Sequence, residues 1–151
     1  RINFVNNLMD ITPDVKFDIY GLNNIQPIWA DHYFKTISNA KMGLNLSRGE
    51  AIKYYSSDRI TQIVGNGLVC LIDEKTKYRD YFDNSEMVFY KNENDLSEKI
   101  LKISRDEKLR KSIGRKGKNK YMKFFNSTKV AEFIINKTLD IDSQKKYFWH
   151  N

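Results

Sequence analysis

Apolar positions along the chain switch between two periods. In Lys16–Gly21 (KFDIYG) apolar and polar residues alternate and the run ends on glycine. In Met42–Ser47 (MGLNLS) Met42, Leu44 and Leu46 alternate with Gly43, Asn45 and Ser47. A period of two is the mark of a strand, and the continuous apolar run Leu68–Ile72 (LVCLI) suits a strand covered on both faces. Glu86–Tyr90 (EMVFY) is a fourth strand candidate. Helical spacing fills the gaps: Ile2, Val5, Leu8 and Met9; Tyr33, Phe34, Ile37 and Ala40; Ile60, Ile63 and Val64; Leu96, Ile100, Leu101 and Ile103. Asn94 or Asp95 is expected to cap the last of these. The chain then stays helical through DEKLRKSIGRKGKNKYMKFF and NSTKVAEFIINKTLDI, with Asn126 or Ser127 as a fresh cap.

Strands alternating with helices predict an α/β fold: a Rossmann-like, doubly wound parallel sheet in three α/β/α layers, with a helical C-terminus. The opening helix follows no strand, and the first residue is Arg1 rather than Met. The expectation is a fragment of a longer chain whose first strand lies upstream.

Open parallel sheets bind ligands beyond the carboxyl ends of their strands. Those ends are Gly21–Asn24, Ser47–Glu50 and Asp73–Thr76. The stretch YYSSDR, Tyr54–Arg59, lies at a helix start on the same side. Ser56 or Ser57 can cap that helix, or donate to a phosphate held at the helix end. Arg48 and Arg59 supply guanidinium forks that match phosphate oxygens. Asp58 can favour the helix dipole or accept from a sugar hydroxyl, and Tyr54 and Tyr55 can stack on a base or sugar. Both readings of the stretch, cap and binding site, stand on the residues alone. Asn66 and Gly67 suit left-handed backbone, so the helix is expected to stop there and turn into the buried strand.

Charge adds a second theme. The chain has 151 residues and a net charge of +7, and its basic residues crowd between Lys99 and Lys129. Such a face attracts nucleic acid, an anionic membrane or phosphorylated substrates, or is simply solvated. The single cysteine, Cys70, sits in an apolar run and reads as inert core. His32 and His150 stand far apart with no ligand-like neighbours, so no metal site is expected. One cysteine forms no internal disulfide, which reads as cytosolic; no apolar run approaches a membrane span and no signal peptide is visible. Neither G-x-G-x-x-G nor a P-loop motif is present.

The succession LNLSRGE, YYSSDRITQIVGNGLVCLID, YRDYF, EMVFYKNENDLSEKI and LRKSIGRKGKNKY resembles the C-terminal half of a GT-B glycosyltransferase. More narrowly, it is similar to the glycosyl transferases group 1 domain of the spore-maturation-protein-like branch, over most of Asp14 to Ile135. The resemblance implies that residues 1–151 form one nucleotide-sugar-binding domain of a two-domain bacterial enzyme of cell-surface polysaccharide synthesis. The donor would be a nucleotide-diphosphate sugar, used as substrate without cofactor or metal. The absent N-terminal domain would supply the acceptor site and any general base, so no catalytic residue is named and the fragment alone should transfer nothing. By the same resemblance Arg59 matches the family's motif arginine, and Ser47, Arg48 and Gly49 match the loop that closes over the donor. Gln62 stands where the family usually has a glutamate that binds donor hydroxyls; it keeps hydrogen bonding but not charge. The expected setting is cytoplasmic, peripheral at the inner face of an anionic membrane. The alternative is a non-catalytic α/β binding module whose basic helices hold nucleic acid or a protein partner. Nucleic acid is not expected, because Tyr121, Phe124 and Phe125 fall only at the end of the basic cluster, with core-like spacing.

Overall fold

A computed structural model describes every residue except Arg48, Ser56, residues 142–144, His150 and Asn151. In chain order the elements are α1 (Ile2–Asp10), α2 (Ala30–Asn39), β1 (Met42–Asn45), α3 (Arg59–Gly65), β2 (Val69–Asp73), β3 (Val88–Tyr90), α4 (Glu93–Arg105), α5 (Glu107–Phe124) and α6 (Ser127–Thr138). The described sheet is parallel, in the order β1-β2-β3, with Met42 opposite Val69 and Leu71 opposite Val88.

Strand periodicity divides the apolar residues between two layers. Val69, Leu71, Val88 and Tyr90 face one cluster, where Leu8 of α1, Leu96, Ile100 and Ile103 of α4 and Ile113 of α5 cover them. Cys70, Ile72, Met87 and Phe89 face the other, with Ile60, Ile63 and Val64 of α3, and Phe82. The α/β/α layering read from the sequence is thus present. Cys70 is fully buried, and burial pushes its thiol up to about 12, so it is protonated and inert. Tyr90 also lies in the core, at 1% exposure, and its hydroxyl meets no hydrogen-bond partner among the described residues. A buried hydroxyl without a partner carries its whole desolvation cost. Tyr90→Phe is therefore expected to raise stability by about 1 kcal/mol in urea unfolding; a loss of that size would mean the hydroxyl is bonded.

One predicted strand is corrected. Lys16–Gly21 forms no ladder, although its burial does alternate: Val15, Phe17 and Ile19 are half-buried while Lys16, Asp18 and Tyr20 are exposed. Val15 and Phe17 pack against the first cluster. Side-chain burial alone produces that pattern; a strand needs backbone partners as well. The segment then turns away at Gly21, whose φ is +71° and whose N–H donates to the Ile25 carbonyl.

Helix ends follow local chemistry with one shift. Asn126 caps α6 by accepting from the Lys129 N–H, as expected. The cap of α4 is Asn92, which accepts from the Asp95 N–H, and not Asn94 or Asp95. The Asp95 carboxylate is engaged instead by the Lys91 N–H and the Lys99 ammonium.

α5 is the helix that joins the two layers. Its early residues Leu109 and Ile113 pack on the first cluster, and its later residue Tyr121, with Phe125 just past its end, on the second. Between them lie Gly114 and Gly117. A Cβ on Gly114 would stand 2.0 Å from the Gly67 carbonyl oxygen, and one on Gly117 would stand 2.3 Å from that of Glu86. Those carbonyls precede β2 and β3. The two glycines let α5 cross the amino ends of both strands in backbone contact. Lys120 fixes the crossing with a half-buried ion pair to Glu86 at 2.7 Å.

Candidate functional site

With α5 across the amino ends, the opposite rim of the sheet is where a ligand can enter. β1 ends at Asn45, which is 5% exposed. There the chain borders a cavity of about 240 Å³, lined by Asn45, Leu46 and Ser47 from the β1 end, Tyr55, Ser57 and Arg59 from the approach to α3, and Arg1. Arg59 donates to the Leu46 carbonyl at 3.0 Å and Arg1 to the same oxygen at 2.9 Å. One carbonyl thereby draws two guanidinium groups to the cavity. A guanidinium carries five N–H donors, so the bond to Leu46 uses only part of the Arg59 fork. A cation in the first turn of a helix opposes the helix dipole. The position of Arg59 is thus not set by helix stability.

The N-cap position of α3 falls on Asp58 rather than on Ser57, and the Asp58 side chain makes no capping bond. Asp58 is exposed. The turn is closed by backbone: Ile60 N–H to Ser57 and Thr61 N–H to Asp58. At the other end α3 stops as expected, with one correction. Gly67 has φ +75°, but Asn66 keeps helical backbone at φ −83°. Gly67 N–H bonds to Val64 and Leu68 N–H to Ile63, the paired closure of a Schellman turn.

Of the residues singled out in the sequence, Ser47, Tyr55, Ser57 and Arg59 line one cavity. Gly49 is exposed with open space around it. Gln62 is half-buried one turn along α3, outside the lining, and its backbone carbonyl accepts from the Asn66 side chain. Arg48 and Ser56 lie outside the described residues. The rim after β2 is occupied by its own turn: Asp73 accepts from the Lys75 N–H, and the Thr76 hydroxyl donates to the Asp73 carbonyl. Arg1, Asn45 and Leu46 were not singled out. A polar residue inside a strand of a covered sheet was the available signal for Asn45; Arg1 offered none.

A family profile described as glycosyl transferase-like matches residues 1–136. The chain belongs to this family. No curated protein and no solved structure matches this glycosyl transferase-like chain. Among the described residues no helix is long and apolar enough to cross a membrane, and no group of three His, Cys, Asp or Glu is placed to hold a metal ion.

The two neighbouring tyrosines of the glycosyl transferase-like chain diverge. Tyr55 borders the small cavity, whereas Tyr54, at φ +60°, borders a second and larger one. The lysines near rings are those at the end of the basic cluster, where the sequence places Tyr121, Phe124 and Phe125. Lys120 lies over Phe82 and Phe148, and Lys123 and Lys129 lie over Phe124.

Proposed function

We propose that the chain is the donor-binding domain of a GT-B glycosyltransferase, and that the cavity after β1 grips the diphosphate of a nucleotide-sugar. The observation that carries this reading is the gathering of Arg59 and Arg1 on the Leu46 carbonyl beside Ser47, Ser57 and Tyr55. Guanidinium and hydroxyl donors suit phosphate oxygens, and fixed cations stabilise the charge that develops on a departing diphosphate. The volume of about 240 Å³ fits a diphosphate better than a whole nucleotide-sugar. In this reading a second domain faces the cavity, completes the cleft and brings the acceptor and any base. No metal is needed, because the arginines carry the role that a divalent ion plays elsewhere.

The test is thermal unfolding with UDP, GDP, ADP and CMP in EDTA. At ten times its Kd a ligand adds about 1.4 kcal/mol, or roughly 3–6 °C in Tm for a chain of this size. One nucleotide is expected to give such a shift, Arg59→Ala to abolish it, and Arg59→Lys to restore part of it. The readout is the ligand-induced shift rather than Tm, because Arg59→Ala also removes the bond to Leu46. The reading fails if none of the nucleotides shifts Tm at millimolar concentration, or if the shift survives Arg59→Ala.

A further inference from the structure

We infer that the larger cavity, which the donor reading does not use, binds an acidic saccharide. It lies between the turn after β2, the α5–α6 junction and residues 145–149, and encloses about 620 Å³. Its walls are mainly aromatic rings packed on one another. Phe148 stacks on Phe124 at 4.3 Å between centroids, Tyr147 on Trp149 at 5.3 Å, and Tyr54 leans on Tyr81 at 5.1 Å. Trp149 is also stacked by Phe125 at 5.5 Å, so the lining is a packed aromatic wall. The apolar ring surface it turns to the cavity suits the flat C–H face of a pyranose.

The polar groups fit the same ligand. Tyr54 is held with left-handed backbone by its N–H bond to the Thr76 carbonyl at 2.8 Å and by its hydroxyl, which donates to Asp80 at 2.6 Å. A non-glycine residue in that conformation is strained, and strain of this kind collects at ligand sites. The hydrogen bond to Asp80 pushes the Tyr54 phenol up to about 12, so it remains a neutral donor. Asp80 thus already accepts a hydroxyl, as it would from a sugar. Lys145 is neutralised by Glu132 at 2.6 Å; Lys129 also lines the cavity, its ammonium donating to the Lys123 carbonyl at 2.8 Å, and Lys146 has no ion-pair partner among the described residues. Those ammonium groups call for a carboxylate or phosphate on the ligand. Single-stranded DNA also stacks on aromatic rings, but its internal deoxyriboses carry no free hydroxyl to donate to Asp80.

The full chain carrying Trp29→Phe leaves Trp149 as its single tryptophan, a reporter inside the cavity. Titration with hexagalacturonate should change Trp149 fluorescence saturably. The fully methyl-esterified hexamer, the Lys146→Glu variant and the Phe148→Ala variant should each bind at least ten-fold more weakly. Arg59→Ala should leave this titration unaltered, which separates it from the donor site. Lys146→Glu changes an exposed side chain, and an unchanged circular dichroism spectrum will show that its fold is kept. The inference is overturned by the absence of saturable binding, by equal affinity for charged and esterified hexamers, by an unchanged affinity in Lys146→Glu, by loss of binding in Arg59→Ala, or by tighter binding of oligo(dT).

Discussion

Gly114→Ala is expected to destabilise the protein by a net ~2 kcal/mol or more, lowering Tm by roughly 4–8 °C. Two terms of opposite sign decide this. Replacing a helical glycine by alanine favours the helix by up to about 1 kcal/mol. Against it, the new Cβ would stand 2.0 Å from the Gly67 oxygen and 3.0 Å from its carbonyl carbon. Both are backbone atoms held by the Schellman turn, and no side chain can swing away to make room. Overpacking against such a wall belongs at or above the upper end of the usual ~1–3 kcal/mol. Gly117→Ala, facing the Glu86 carbonyl at 2.3 Å, should behave alike. Gly65→Ala is the control of opposite sign, because its Cβ would meet only the end of Met122 at 3.7 Å; it should be neutral or stabilising by up to about 1 kcal/mol. Urea midpoints for the three variants check the claim. Equal midpoints for Gly114→Ala and Gly65→Ala would show that α5 does not cross in backbone contact.

Phe82→Ala should cost about 3–5 kcal/mol, a large share of the roughly 5–15 kcal/mol that holds a domain together. Phe82 is 1% exposed. It stacks with Phe125 at 5.7 Å and Tyr121 at 6.5 Å, and the Lys120 ammonium lies 5.4 Å from its ring centre. Removing the ring leaves a cavity bounded by aromatic planes that cannot collapse into it. Phe82→Leu should lose markedly less, since it keeps much of the volume. Phe34→Ala, at a side chain 59% exposed, should stay within about 0.5 kcal/mol. The comparison is again of urea midpoints; similar losses at the two phenylalanines would contradict the packing described.

The fold was legible where local pattern and tertiary packing agree. LVCLI forms the central strand because both faces of the sheet are covered, and its alternate residues go to opposite layers. Lys16–Gly21 shows the limit of such reading: alternation reports burial, and it occurs here without a ladder. The α4 cap moved to Asn92 because two lysine groups, one of them a full turn into the helix, engage Asp95. At the candidate site, Ser47, Tyr55, Ser57 and Arg59 line one cavity at the end of β1. Arg1 did not show, because its partner Leu46 is 45 residues away. The aromatic run Tyr147–Trp149 has no period to betray it; its packing is set by Phe124, Phe125 and Phe133, which only the folded chain brings near.

Because α5 serves both layers, it cannot be taken away from one of them alone. Cutting the chain between Arg105 and Asp106 would uncover Val69 and Leu71 on one side and Cys70 and Ile72 on the other in a single event. Amide protons of β2 and β3 should then gain exchange together, and no shortened version ending at α4 can keep one half of its interior dry.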